Sequence, residues 1–188
     1  KSGSASWHLA IERTPPGAPT NWHIDGQLTI ADGEIRGRDN RAQLEQLNGQ
    51  VTFLGQQARI ERADFRFGGA QLSLTGVMPN LAEPKLDYQL TAAEIDLADV
   101  PALAVSQPLR LQQLSVKGRL QSQDDALSVA GDAAAPQGNF NGFAMSDVRS
   151  SFSWSAAGLR FKDLTFRAAQ GWFRSDGFQT AGAGEISA

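Results

Sequence analysis

The sequence predicts an all-β, mainly antiparallel fold, and three observations carry that prediction. Apolar and polar residues alternate with period two in segment after segment, glycine-bearing turns separate the segments, and the pattern recurs later in the chain. The clearest case is QARIERADFRFGGAQLSLTGV, residues 57–77. Ala63, Phe65 and Phe67 alternate with Asp64 and Arg66, while Leu72 and Leu74 alternate with Gln71, Ser73 and Thr75. Successive side chains of a pleated strand point to opposite faces, so this alternation puts the apolar groups on one side of a sheet and the charges on the other. Gly68-Gly69 supplies the positive φ that a tight hairpin turn requires. Ile60 is out of phase with Phe65, which places a bulge near Glu61-Arg62.

The recurrence appears on shifting the chain by 101 residues without a gap. Val51–Phe53 then falls on Phe152–Trp154, Arg59-Ile60 on Arg160-Phe161, Phe65-Arg66 on Phe166-Arg167, Leu72 on Phe173, and Gly76 on Gly177. A long internal period is a signature of architecture. The chain is expected to hold two similar β units, residues 1–104, with a short helical turn near 96–104, and residues 105–188.

In chain order, Trp7, Leu9 and Ile11 mark a first strand. Thr14 to Pro19 is a loop, because prolines cannot feed a sheet ladder. Trp22, Ile24, Leu28 and Ile30 share one parity and mark a second strand, which Asp32-Gly33 is expected to turn into a short third one at Glu34–Arg36. Arg38 to Ala42 reads as a charged loop, Leu47 to Leu54 as a strand, and Pro79 to Pro84 as a connection after the hairpin. Leu86, Tyr88 and Leu90 continue the sheet. Asp96 to Ala104 reads as the one helical turn, a cap between the units, with Leu97, Val100 and Leu103 spaced three apart, Asp96 as N-cap and Pro101 keeping it short, or else as a plain surface loop. Leu114, Val116 and Leu120 form a strand whose partner holds Leu127 and Val129 across Asp124-Asp125. Residues 133–142 carry only a weak pattern of Ala, Gly and Asn. Phe152-Trp154, Leu159-Phe161, Leu164-Phe166 and Trp172-Phe173 mark three further strands matching those of the first unit.

Composition limits the function. With 188 residues, 41% hydrophobic and 20% charged, the chain buries a real core and is too apolar for disorder. A net charge of -3 offers no basic footprint for nucleic acid. The absence of cysteine excludes disulfides and thiolate metal sites. No apolar run is long enough to span a membrane and no signal peptide is visible; the first and last residues read as cut from a longer protein.

Catalytic groups are sparse. His8 and His23 have no second ligand at metal spacing. Asp124-Asp125 is a solvated turn, since adjacent strand residues face opposite ways. No serine sits in a nucleophile elbow, and Gly68-Gly69-Ala70 lacks the helix and Lys-Ser/Thr of a phosphate loop. Arg59, Arg62, Arg66, Arg160 and Arg167 lie on strands with acidic neighbours, as cross-strand ion pairs would. The expectation is a non-enzymatic protein without a cofactor.

The segments Leu47-Asn48-Gly49, Ala63-Asp64-Phe65, Gly68 to Gly76, Tyr88 to Ala92 and Ile95 to Val100 resemble the AsmA-like family. The shared grammar is a strand, a turn, a double glycine followed by alternating leucines and a glycine, then a loop, a further alternating strand and a short Asp-Leu helix. The resemblance covers residues 45–103 well and 145–180 less well, where Ala168-Ala169-Gln170-Gly171 replaces the double glycine. It implies a curved, taco-like β-groove, apolar inside and polar outside, in the periplasm of a Gram-negative envelope. The full-length protein would be anchored in the inner membrane by a segment outside this chain, with neighbouring repeats extending the groove. The implied ligands are phospholipid acyl chains, carried toward the outer membrane.

Physics supports such a role. Exposing an acyl chain of about 16 methylenes to water costs about 13 kcal/mol, and alternating strands laid side by side provide a continuous apolar floor. The candidate floor residues are Val51, Phe53, Phe65, Phe67, Leu72, Leu74, Leu86, Tyr88 and Leu90 in the first unit, and Phe152, Trp154, Phe161, Phe166 and Phe173 in the second. The same residues would equally form an ordinary core if a second sheet closed over them. Two other functions compete: an assembly module acting through open strand edges, and a carbohydrate-active enzyme, which would need convergent carboxylates that the sequence does not place.

Overall fold

Among the described residues the alternation resolves into eleven strands in one antiparallel sheet, in which strand order follows sequence order. A computed structural model describes residues 3–13, 22–36, 43–83, 85–100, 108–123, 126–155, 158–169 and 171–179. The strands are β1 Ser4–Arg13, β2 Trp22–Arg36, β3 Gln43–Gly55, β4 Gln57–Phe67, β5 Ala70–Met78, β6 Lys85–Asp96, β7 Leu109–Gln123, β8 Ala126–Phe140, β9 Phe143–Ser155, β10 Gly158–Ala168 and β11 Gly171–Gln179. The helical expectation reduces to a 3-10 turn at Leu97–Asp99. The loops expected at 14–19 and 38–42, the turn at 124–125, residues 101–104 and the tail 180–188 lie outside the described residues.

Residues directly opposite one another in an antiparallel pair share a face. One row crosses all eleven strands: Trp7, Leu28, Val51, Ile60, Gly76, Tyr88, Gly118, Gly131, Phe152, Phe161 and Gly177. A parallel row runs through Ile30, Gly49, Ala63, Leu74, Leu90, Val116, Ala133 and Ser150. Small residues interrupt the large ones along these rows, with Tyr88 between Gly76 and Gly118 and Phe152 opposite Gly131, which gives room for the sheet to bend. Tyr88 shows this directly: its hydroxyl lies 3.0 Å from where a β-carbon on Gly118 would sit.

Bulges produce the bend. The register shifts in β2 between Ile30 and Gly33, in β3 between Glu45 and Asn48, in β4 between Ile60 and Ala63, and in β10 between Phe161 and Leu164. Asp32, Gln46 and Asp163 take φ values of 52–53° at three of these shifts, and Asp147 takes 54° where β9 shifts against β10; Gln113 in β7 has φ 53° with its register unbroken. Each extra residue raises the local twist and folds its strand. The bulge expected near Glu61-Arg62 is present, with Val51 opposite Ile60 and Gln50 opposite Arg62. The turn expected at Asp32-Gly33 is not. β2 continues to Arg36, and Asp32 forms a bulge whose N–H donates to Asn48 Oδ1 at 3.1 Å. An Asp-Gly pair accepts positive φ in either setting, so the dipeptide alone does not distinguish them.

The internal period is visible in the strands. Adding 101 to the bounds of β4 gives 158–168, those of β10, and adding 101 to β5 gives 171–179, those of β11. The positive-φ residues Gln46 and Asp147 are also 101 apart. The sheet nevertheless runs unbroken through the boundary at 104, because β6 pairs with β7 from Lys85 to Asp96.

The 3-10 turn caps one rim. Asp96 accepts hydrogen bonds from the N–H groups of Ala98 (3.0 Å) and Leu109 (3.2 Å) and from Arg110 Nε (3.2 Å), tying the cap to β7. Val100 is buried. Gly68 and Gly69, with φ 55 and 85°, make the β4–β5 turn, and a β-carbon on Gly68 would overlap the Asp99 carbonyl. Gly68→Ala is therefore expected to lower unfolding free energy by roughly 1–3 kcal/mol. Gly142→Ala, with open space around it, should cost only about 1 kcal/mol for its left-handed φ. Urea melts of the two variants check the difference.

Candidate functional site: an uncovered apolar face

All fourteen candidate floor residues lie on the same face of the sheet. Phe53 joins Leu9, Gly26, Ala58 and Met78 in one row. Leu86 joins Leu120, Val129, Trp154 and Leu159. Phe65 joins Leu72, Ala92 and Leu114, Phe67 pairs with Leu44 and Ala70, and Phe166 stacks on Phe173 with ring centroids 5.2 Å apart.

They do not share one environment. Phe65 and Leu72 are buried, Leu72 to 4% exposure, and Phe173 on the edge strand is exposed. The other eleven are half-buried. The buried pair belongs to a tightly packed band with Leu47, Ala92, Leu114, Ala135 and Val148. Val51, Ile60, Tyr88, Phe152 and Phe161 form a second band that solvent reaches. Each strand packs on its sequence neighbours, and no second sheet or helix lies across this face among the described residues. Curvature is thus what buries the first band, and it leaves the second open.

Several buried contributors are not among the floor candidates read from the sequence. Leu47, Ile95, Val100, Leu111, Leu114, Val116, Ala135, Val148 and Leu159 are all buried on or against this face. Leu114 and Val116 carried an alternation signal, but Ala135 carried none, since its small side chain answers the larger groups beside it.

The rows traced here carry no charged side chain, and no buried side-chain nitrogen or oxygen among the described residues lacks a hydrogen bond. Tyr88 and the buried Ser150 are the polar members of these rows; burial pushes the Tyr88 phenol above the usual tyrosine range, so it stays neutral.

The opposite face is ionic. Arg119 Nε lies 2.6 Å from Asp87, and its hydrogen bond and charge hold that carboxyl below the usual aspartate range. Asp64 accepts from Ser73 Oγ at 2.5 Å and Arg62 Nε at 2.7 Å, and is lowered chiefly by the serine. His23 pairs with Asp25 at 3.0 Å, both well exposed. Arg174 pairs with Asp163. Depressions on this side are lined by mixed charges, such as Arg59, Glu61, Asp87 and Lys117. No group of three or more metal-ligating side chains assembles among the described residues.

Asp96 links this ionic face to the cap. Its carboxyl is lowered first by the Ala98 N–H, then by Arg110 and the Leu109 N–H. A depressed carboxyl contributes stability above its unfolded value, near 3.8, and loses it as pH falls through the lower folded value. The cap is therefore expected to loosen below about pH 4. Asp96→Ala should cost about 1 kcal/mol at neutral pH and flatten that acid dependence. Amide exchange at Ala98 and Leu109 across pH checks both effects.

No family model, curated protein or solved structure matches the chain.

Proposed function

We propose that this chain is a non-enzymatic segment of a periplasmic lipid-transfer conduit. It carries phospholipid acyl chains along its apolar β-groove, within a longer, inner-membrane-anchored protein. The observation that supports this reading is the second, solvent-reachable band: an apolar strip crossing all eleven strands with nothing laid over it among the described residues. At about 4.8 Å per strand the strip is roughly 50 Å long, enough for whole acyl chains. Exposed apolar surface of that extent favours an occupant. Transfer needs no reacting group: the chain slides on the floor while the head group stays in water at the open side. Mass spectrometry of lipid extracted from the gently purified protein tests this. Near-stoichiometric phospholipid is expected, and a lipid-free protein that takes up none from micelles would overturn the proposal.

A second reading, an envelope assembly module, is favoured by the edges. Among the described residues, β1 and β11 each pair on one side only, and they expose Trp7, Ile11, Trp172 and Phe173. An unblocked apolar edge invites strand addition. Salt-insensitive self-association of the lipid-free protein, seen by sedimentation, would favour this reading over the first.

A further inference from the structure

Four of the five exposed Phe and Trp side chains among the described residues sit at two neighbouring hairpin tips on one rim; the fifth is Trp7 on β1. The β8–β9 hairpin turns through Asn141 and Gly142, between Phe140 and Phe143. Phe143 is 73% exposed, and both phenylalanines share a row with Leu109 on the groove face. The next hairpin along the rim enters β11 through Trp172, 65% exposed, and Phe173. Phe173 faces the groove. Trp172 lies on the outer face, directly opposite Arg167. Arg167 is exposed and has no ion pair among the described residues.

We propose that this rim docks into the surface of a lipid bilayer bearing anionic head groups. Three features argue for a bilayer rather than a protein surface. The apolar groups lie on both faces of the sheet at its tips, so a partner packed on one face would leave the others wet, whereas an interfacial phase surrounds them all. The turn carries little unmet backbone demand: Gly142 N–H donates to Asn139 Oδ1 at 2.8 Å, and Asn141 N–H to the Pro108 carbonyl at 3.1 Å. Such a tip enters an apolar phase without stranding those amides. The Trp172–Arg167 pair sets an amphipathic ring beside an exposed cation, the chemistry of the head-group zone. The docked rim also leads into the groove, through the row Leu111, Gly138 and Met145. That last point rests on the lipid-carrier reading; the docking itself does not.

Vesicle co-sedimentation tests the proposal, using phosphatidylethanolamine vesicles with and without phosphatidylglycerol. Binding to the phosphatidylglycerol vesicles is expected. The double variant Phe140→Ser/Phe143→Ser and the single variant Trp172→Ser should each weaken it by about tenfold or more. Arg167→Gln should weaken binding only to the anionic vesicles. Urea melts establish that each variant is folded, and variants that melt early are replaced by Phe→Asn versions. Absence of wild-type binding to both vesicle types overturns the proposal, as does equal binding by folded variants. Lipid cargo is read separately by extraction, so failure of docking and failure of carriage are distinguishable.

Discussion

Leu72→Ala is expected to lower unfolding free energy by about 2–4 kcal/mol, one of the largest effects of any single truncation in this chain. Leu72 sits at the centre of the packed band, between Phe65 and Ala92, with 4% of its surface exposed. A cavity there has no second layer to collapse into it, so little of the cost is recovered. Leu54→Ala, at an exposed strand end, should change stability by no more than about 0.5 kcal/mol. Urea denaturation of both variants measures the contrast. Equal losses would mean that the packed band is not the structural core.

The second large effect is expected on the proposed lipid cargo. Phe152→Glu places a carboxylate in the row between Gly131 and Phe161, on the solvent-reachable band. An unpaired charge on an apolar floor is poorly tolerated once an acyl chain lies over it. Because Phe152 is only half-buried, water still solvates the carboxylate in the empty protein and the fold survives. Extracted phospholipid should fall by roughly tenfold or more, since one or two kcal/mol of lost contact already gives such a factor. Ser153→Glu, one residue on and facing outward, should leave lipid content unchanged. Equal loss in both variants would place the lipid elsewhere.

The sequence made part of this design legible. The alternation of Leu72 and Leu74, the Gly68-Gly69 turn, the bulge after Ile60 and the Asp96 cap each leave a local mark, because each rests on side chains close together in the chain. Other features rest on partners many residues away. Residues 133–140 read weakly because Ala133, Ala135 and Gly138 are small in answer to larger groups on other strands, such as Met145 opposite Gly138. The bulges at Gln46, Asp147 and Asp163 use polar residues at positive φ, a choice with no hydrophobic signature. Those bulges set the curvature, and curvature decides which floor residues are packed and which stay open. Phe65 and Phe67 therefore look alike in the sequence, and differ in burial in the fold.

The most direct measurement is in-cell photocrosslinking from Leu74, on the groove face, and from Thr75, its exposed neighbour on the outer face. Phospholipid adducts at Leu74 and none at Thr75 are the predicted result. Adducts at Leu74 made only with protein, or lipid adducts at both positions alike, would contradict a one-faced groove that carries acyl chains.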